Sequence, residues 1–170
     1  IRGLMTPKET TYKKIYEINY PKVMRLCMGY TGGNDVLAKD LTQETFIKVW
    51  KNLDTFRNES GIATWIYRIC VNTCLAEIRR EKKEEKKLQI DDLQISESSE
   101  DPVEKEDMLF QLYKCINQLS STNKAIILLE LEDVPQVEIS EIIGIKHDAI
   151  RTRIHRIKQQ LTKCANHEQF

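Results

Sequence analysis

The sequence predicts an all-α fold of two small helical domains, residues 5–87 and 108–167, joined by a flexible acidic linker over 88–107. Three observations carry this. Apolar residues recur at steps of three and four through most of the 170 residues, and nowhere alternate as a half-buried strand does. The stretch 88–107 is acidic, contains Pro102 and several serines, and has little periodicity, which reads as linker. Near the carboxyl end, Ile139–Leu161 reads as two short amphipathic helices hinged at Gly144, a residue suited to the left-handed backbone that ends a helix.

The elements follow in order. Thr6-Pro7-Lys8-Glu9 is a capping box with proline in the first turn, so a helix starts there. Tyr12, Ile15 and Tyr16 give its apolar stripe. Pro21 predicts a kink or restart before Val23, Leu26 and Cys27. Thr31-Gly32-Gly33-Asn34 is a turn. The next helix spans Asp35 to Asn52 on Leu37, Leu41, Phe46, Val49 and Trp50. Asp54 to Ile62 is polar, contains Gly61 and reads as an exposed loop. A helix then runs from about Ala63 to Arg79-Arg80, whose charges suit the negative end of its dipole, with Glu81–Lys87 continuing it into solvent. Beyond the linker, Met108, Leu109, Leu112, Ile116 and Leu119 resume the helical repeat. Ser120-Ser121-Thr122 breaks it before the apolar Ile126–Leu131 helix. Asp133–Gln136 resembles a second capping box, with Pro135 in the first turn of the following helix.

A formal net charge of zero conceals a strong pattern. Residues 1–87 carry +6, residues 88–110 carry −7 and residues 111–170 carry +1, with the last segment's bases concentrated after Lys146. Phosphate binding responds to such local patches rather than to the total. No apolar run reaches the length of a membrane span, and the opening residues do not read as a secretory signal. Ile1-Arg2-Gly3-Leu4 before Met5 reads as a remnant ahead of a native start.

Five scattered cysteines, Cys27, Cys70, Cys74, Cys115 and Cys164, fit free thiols in a reducing cytoplasm rather than a disulfide framework. Cys70 with Cys74, or Cys164 with His167, has zinc-like spacing, but two ligands do not make a structural site. Core thiols, and no metal or cofactor, are the expectation. With no phosphate-cradling glycine loop, nucleophile elbow or acidic metal cluster, no enzyme chemistry is expected.

After Gly144 the helix stripe is Ile150, Ile154, Ile157 and Leu161, while Lys146, Arg151, Arg153, Arg156, Lys158 and Lys163 stand against the single acid Asp148. One buried face and one basic face, pinned to a partner helix by a tight turn, fit a DNA major groove.

Upstream lie Asp40-Leu41-Thr42-Gln43-Glu44-Thr45-Phe46, Phe56-Arg57-Asn58-Glu59-Ser60 and Thr64-Trp65-Ile66-Tyr67-Arg68-Ile69. In this order, with a terminal helix-turn-helix, they resemble the extracytoplasmic-function (ECF) sigma factors of the sigma-70 family, over about 10–80 for region 2 and 108–163 for region 4. The resemblance implies an RNA polymerase sigma factor that directs promoter-specific initiation. It implies that Asp40, Gln43, Glu44 and Lys48 dock on the clamp helices of the polymerase core, while region 4 meets the flap. It implies that the Phe56–Ile62 loop, through Arg57, Asn58, Glu59 or Ser60, captures an unpaired base of the −10 element. Arg68, Asn72, Arg79 and Arg80 would face the same DNA, with Ala76 standing where the family often has aspartate. Trp65, an aromatic at helical spacing, reads as core rather than as a melting wedge.

For the −35 element the resemblance implies Lys146, His147, Asp148, Arg151, Thr152, Arg153 and Arg156 as readers. Lys146 replaces a serine that often caps this helix, and lysine cannot accept a backbone hydrogen bond. An anti-sigma partner and a cytoplasmic location are further expectations. A stand-alone helix-turn-helix regulator, binding duplex DNA without polymerase, is the rival reading of the same residues.

Overall fold

Thr6 starts the first helix through both halves of its capping box. Its hydroxyl accepts from the Glu9 amide at 3.2 Å, and the Glu9 carboxylate accepts from the Thr6 amide at 2.6 Å. The computed structural model describes residues 3–91 and 108–167, and every regular element among them is helical. These are α1 (Pro7–Tyr30), α2 (Asp35–Asn52), α3 (Ile62–Asp91), α4 (Met108–Asn117), α5 (Ser121–Leu131), α6 (Gln136–Ile143) and α7 (His147–His167), with a 3₁₀ turn at Leu53–Thr55.

Three local expectations are corrected. Of the kink or restart expected at Pro21, the restart does not occur: α1 is continuous from Pro7 to Tyr30. The proline removes only its own bond to the preceding turn and lies on an exposed face, while Val23, Leu26 and Cys27 bury the turn that follows. The capping box expected at Asp133–Gln136 does not form: Pro135 occupies the cap position of α6 with no side-chain bond. Asp133 instead takes a left-handed backbone (φ 57°) and closes α5, its amide donating to the Glu130 carbonyl at 3.0 Å. Finally, α3 runs on to Asp91, past the start of the span read as linker. The rest of that span, 92–107, lies outside the described residues.

The amino-terminal domain packs α1, α2 and α3 around Val23, Leu26, Leu41, Phe46, Val49 and Ile66. The carboxyl-terminal domain packs α4–α7 around Ile116, Ile126, Leu129, Ile139, Ile150 and Ile157. Cys115 and Cys164 form a disulfide between α4 and α7, contrary to the expectation of free thiols throughout. Their separation of 49 residues gives no local signal; only the packing of α4 on α7 brings them together.

The two domains also pack on each other. Gly29 of α1 admits Leu128 of α5 so closely that a Cβ at Gly29 would lie 2.3 Å from Leu128 Cδ2. Arg25 donates twice to Glu132 (2.9 and 2.8 Å), and Lys124 donates to the Tyr30 carbonyl at 3.0 Å. Thr64 donates to Glu138 at 2.9 Å, tying α3 to α6. The surface ion pair contributes about 0–1 kcal/mol, so the close apolar approach at Gly29 is the stronger constraint. Gly29→Ile should therefore move α5 off α1: X-ray scattering is expected to show a larger radius of gyration with unchanged helical circular dichroism. An unchanged radius would mean Leu128 simply swings aside.

Candidate nucleic-acid interface

The helix-turn-helix is built from backbone outward. Gly144 adopts φ 77°, and its amide and that of Ile145 both donate to the Ser140 carbonyl, at 2.8 and 3.3 Å. This closes α6 with an overlapping pair of bonds that a left-handed residue makes possible. Ser140 Oγ then donates to the Ile145 carbonyl at 2.6 Å and locks the turn. Lys146 stands at the start of α7, its carbonyl accepting from the Ile150 amide at 3.1 Å and its side chain exposed. Asp148 in the first turn complements the positive helix end.

Ile150, Ile154, Ile157 and Leu161 are buried, which fixes the rotation of α7. With 100° per residue, the face opposite them is Asp148, Thr152, His155 and Gln159, flanked by Arg151 and Arg156, all exposed. Lys146, His147 and Arg151 are exposed at the amino end as expected. Arg153 is exposed but leans towards α5, with its guanidinium 3.4 Å from Asn123 Oδ1. His155 and Gln159 are the residues that charge counting missed. Their signal was spacing: they follow Thr152 at steps of three and four. His155, Gln159 and Lys163 line a shallow cleft on this helix.

In the amino-terminal domain, the loop between the 3₁₀ turn and α3 presents Arg57, Asn58 and Glu59 to solvent and half-buries Ser60. Asn58 has φ 56°, a conformation asparagine tolerates better than most residues. Phe56 and Trp65 stack obliquely, ring centroids 5.0 Å apart, beneath the loop. Trp65 is half-buried: it packs against the core, as its spacing suggested, and also forms part of the cleft wall. That cleft, of about 500 Å³, is lined by Arg57, Glu59, Ser60, Trp65, Arg68 and, from α6, Glu141. Arg68 donates to the Glu141 carbonyl at 3.3 Å. Asn72 and Arg79 are exposed further along α3, and Arg80 is held by Glu77 one turn back. The structure therefore gathers the loop residues with Arg68 and leaves Asn72, Arg79 and Arg80 on a separate stretch of α3.

On α2, Asp40, Gln43 and Glu44 are exposed, while Lys48 pairs with Glu44 at 2.8 Å and donates to Thr73 Oγ1 on α3 at 3.0 Å. Lys48 thus braces two helices. Asp40 and Gln43 border a cleft of about 460 Å³ with Tyr16, Tyr20, Phe46 and Ile47. Ile47 is 46% exposed, an apolar contribution to this face that the polar reading omitted. The α1 tyrosines, four residues apart, were its visible sign.

The Sigma-70 region 2 family matches residues 15–84, and the Sigma-70, region 4 family matches residues 109–161. The chain is 33% identical to the RNA polymerase sigma factor SigV of Bacillus subtilis (strain 168), over 82% of this chain and 84% of that protein. It is 27% identical to the ECF RNA polymerase sigma factor SigW of the same organism, over 96% and 93% respectively. In fold it is similar to the sigma factor RpoE of Bartonella quintana, solved in complex with the anti-sigma factor NepR. The TM-score is 0.73 at 21% identity, over 92% of this chain and 98% of that one.

Proposed function

Because the chain belongs to the sigma-70 family, in its extracytoplasmic-function group, we propose how its two domains divide the work of an RNA polymerase sigma factor. It binds core enzyme and directs promoter-specific transcription initiation. The amino-terminal domain docks on core through Asp40, Gln43 and Glu44, with Ile47 and Tyr16 as apolar neighbours and Lys48 holding α2 to α3. Its Phe56–Ile62 loop takes the extruded −10 base, which stacks near Phe56 and Trp65 and bonds to Asn58 or Ser60. Arg68, Asn72, Arg79 and Arg80 hold the adjoining phosphates. The carboxyl-terminal domain reads the −35 element with the outward face of α7. Two modest contacts on one polymerase frame act through effective concentration, so neither domain has to bind DNA tightly alone.

The observation that carries this reading is the order of parts: an α2 docking face, a polar loop over an aromatic pair, and a terminal helix-turn-helix with an outward basic helix. Glu141 borders the loop cleft, where a base and its phosphate would have to enter, so α6 must leave α3 before the −10 element is engaged. The reading assigns the chain no catalysis of its own and a cytoplasmic site of action. Among the described residues no helix is long and apolar enough to cross a membrane. An anti-sigma protein covering these same surfaces is part of the proposal.

Run-off transcription with purified core enzyme, with and without the chain, tests the whole. Promoter-specific transcripts are expected only with it; none, despite intact core binding, would sink the reading. Tight duplex binding without core would favour a stand-alone regulator. The loop has its own test in Asn58→Gly, which preserves the left-handed backbone, and Ser60→Ala. Losing one hydrogen bond to the extruded base is worth about 1 kcal/mol, so each variant should open the promoter roughly fivefold less in permanganate footprints. Unchanged opening with both would remove the loop side chains from base capture.

A further inference from the structure

Beneath the domain interface, three thiols that are far apart in sequence meet. Cys27 of α1 and Cys70 and Cys74 of α3 are fully buried, with Cys27 Sγ 3.8 Å from each of the other two sulfurs. All three sulfurs lie within 4.8 Å of one another. A metal–sulfur bond of about 2.3 Å places tetrahedrally arranged thiolates about 3.8 Å apart, so Cys27 already stands from each of the other two sulfurs at the distance of thiolates sharing one ion. The expectation of no metal rested on pairs, Cys70 with Cys74 or Cys164 with His167; the fold brings a third thiol, Cys27 of α1, to the first of these.

Two neighbours fit the same occupant. Tyr30, 5% exposed, has a hydroxyl with no hydrogen-bond partner among the described residues, although its surroundings include all three cysteines. An orphaned buried hydroxyl is destabilising unless something accepts its proton or uses its oxygen. Lys124, 8% exposed, brings an ammonium into the interface near Cys74, where it donates to the Tyr30 carbonyl (3.0 Å) and Asn117 Oδ1 (2.6 Å). A divalent metal bound by three thiolates is anionic, and the Lys124 ammonium beside Cys74 complements that charge. Cys74 and Tyr30 line a cleft of about 520 Å³ between the domains, and Glu77, Glu81 and Glu85 line the same cleft along α3. Acidic walls concentrate cations.

The geometry points to a binding site for a thiophilic closed-shell cation, Zn(II) or Cu(I), formed by Cys27, Cys70 and Cys74 with Tyr30 Oη as a fourth donor or hydrogen-bonding neighbour. Three sulfur ligands without carboxylate or imidazole select soft ions over magnesium or calcium. As each metal–sulfur bond forms, any proton still on that sulfur passes to solvent, and no oxidation state changes.

The full chain, made metal-free, is titrated anaerobically with Cd(II), whose thiolate charge-transfer absorbance reports sulfur ligation. Zn(II) and Cu(I) are then competed against it. The expected result is a band saturating at one equivalent, displaced by whichever native ion binds more tightly. Cys27→Ser should weaken binding by about 100-fold or more and Tyr30→Phe by about 10-fold, while Cys115→Ser with Cys164→Ser leaves the band unchanged. No band in the parent chain overturns the site, whether or not the variants fold. So does a band that survives Cys27→Ser in a chain with native circular dichroism.

Discussion

Replacing Arg151 and Arg156 together with alanine is expected to abolish most promoter-specific transcription while leaving core binding intact. Both are exposed and flank the outward face of α7, whose rotation is fixed by Ile150, Ile154 and Ile157. A bidentate arginine–guanine contact is worth about 1–3 kcal/mol, so each single variant should lose roughly 5- to 150-fold and the pair more than either. Run-off yield gives the size of the loss, and the salt dependence gives its kind. If an arginine holds phosphate instead, its removal weakens all promoters alike and lowers the salt slope by about one. Arg153→Ala, on the side leaning towards Asn123, should lose less. A double variant with nearly full yield would remove α7 as the −35 reader. His155→Ala and Gln159→Ala belong in the same series, because the structure places them at the centre of that face.

The largest loss of stability is expected from Phe46→Ala. Phe46 is 2% exposed and joins α2 to α1: its ring lies 4.7 Å from Tyr16 and 6.1 Å from Tyr20, centroid to centroid. Its carbonyl accepts from the Tyr12 hydroxyl at 3.1 Å. Truncating a buried phenylalanine costs about 3–5 kcal/mol, through lost burial and the cavity left behind. Urea unfolding monitored by circular dichroism should show that loss at the amino-terminal domain, and a change under about 1 kcal/mol would mean the tyrosines collapse into the space. Ile47→Ala is the matched control. Ile47 is half-exposed beside Phe46, so its removal should barely move the urea midpoint yet weaken core binding if this face docks there.

Legibility varied with the range of the interaction. Thr6 and Glu9 announce α1 because both halves of a capping box lie within one turn. Gly144 announces the helix-turn-helix for the same reason: a left-handed residue is required at one position, and glycine meets it cheaply. Local signals misled where a longer-range term prevailed. Pro21 is a helix breaker by propensity, but the burial of Val23, Leu26 and Cys27 outweighs one missing bond. Asp133 could cap α6, yet its left-handed backbone serves to close α5 instead. Trp65 followed a core spacing and packs against the core, yet the loop beneath which it stacks with Phe56 leaves it half-covered.

The candidate surfaces divide in the same way. The buried stripe of α7 was legible from its spacing, and burial bears it out; what sequence did not show is that Arg153 leans towards Asn123 on α5, 30 residues away. The role of Lys48 as a brace depends on Thr73, 25 residues away.

By itself, the sequence determined the helical class, most helix positions, the turn chemistry and the ordered motifs that identify the family, since these rest on contacts within a few residues. Only the tertiary structure decided that α6 lies across Arg68 and the loop cleft, that Cys115 joins Cys164, and that Cys27 meets Cys70 and Cys74. Each of those depends on which helix faces pack together. That is set by the summed burial of residues tens of positions apart, and no local spacing records it.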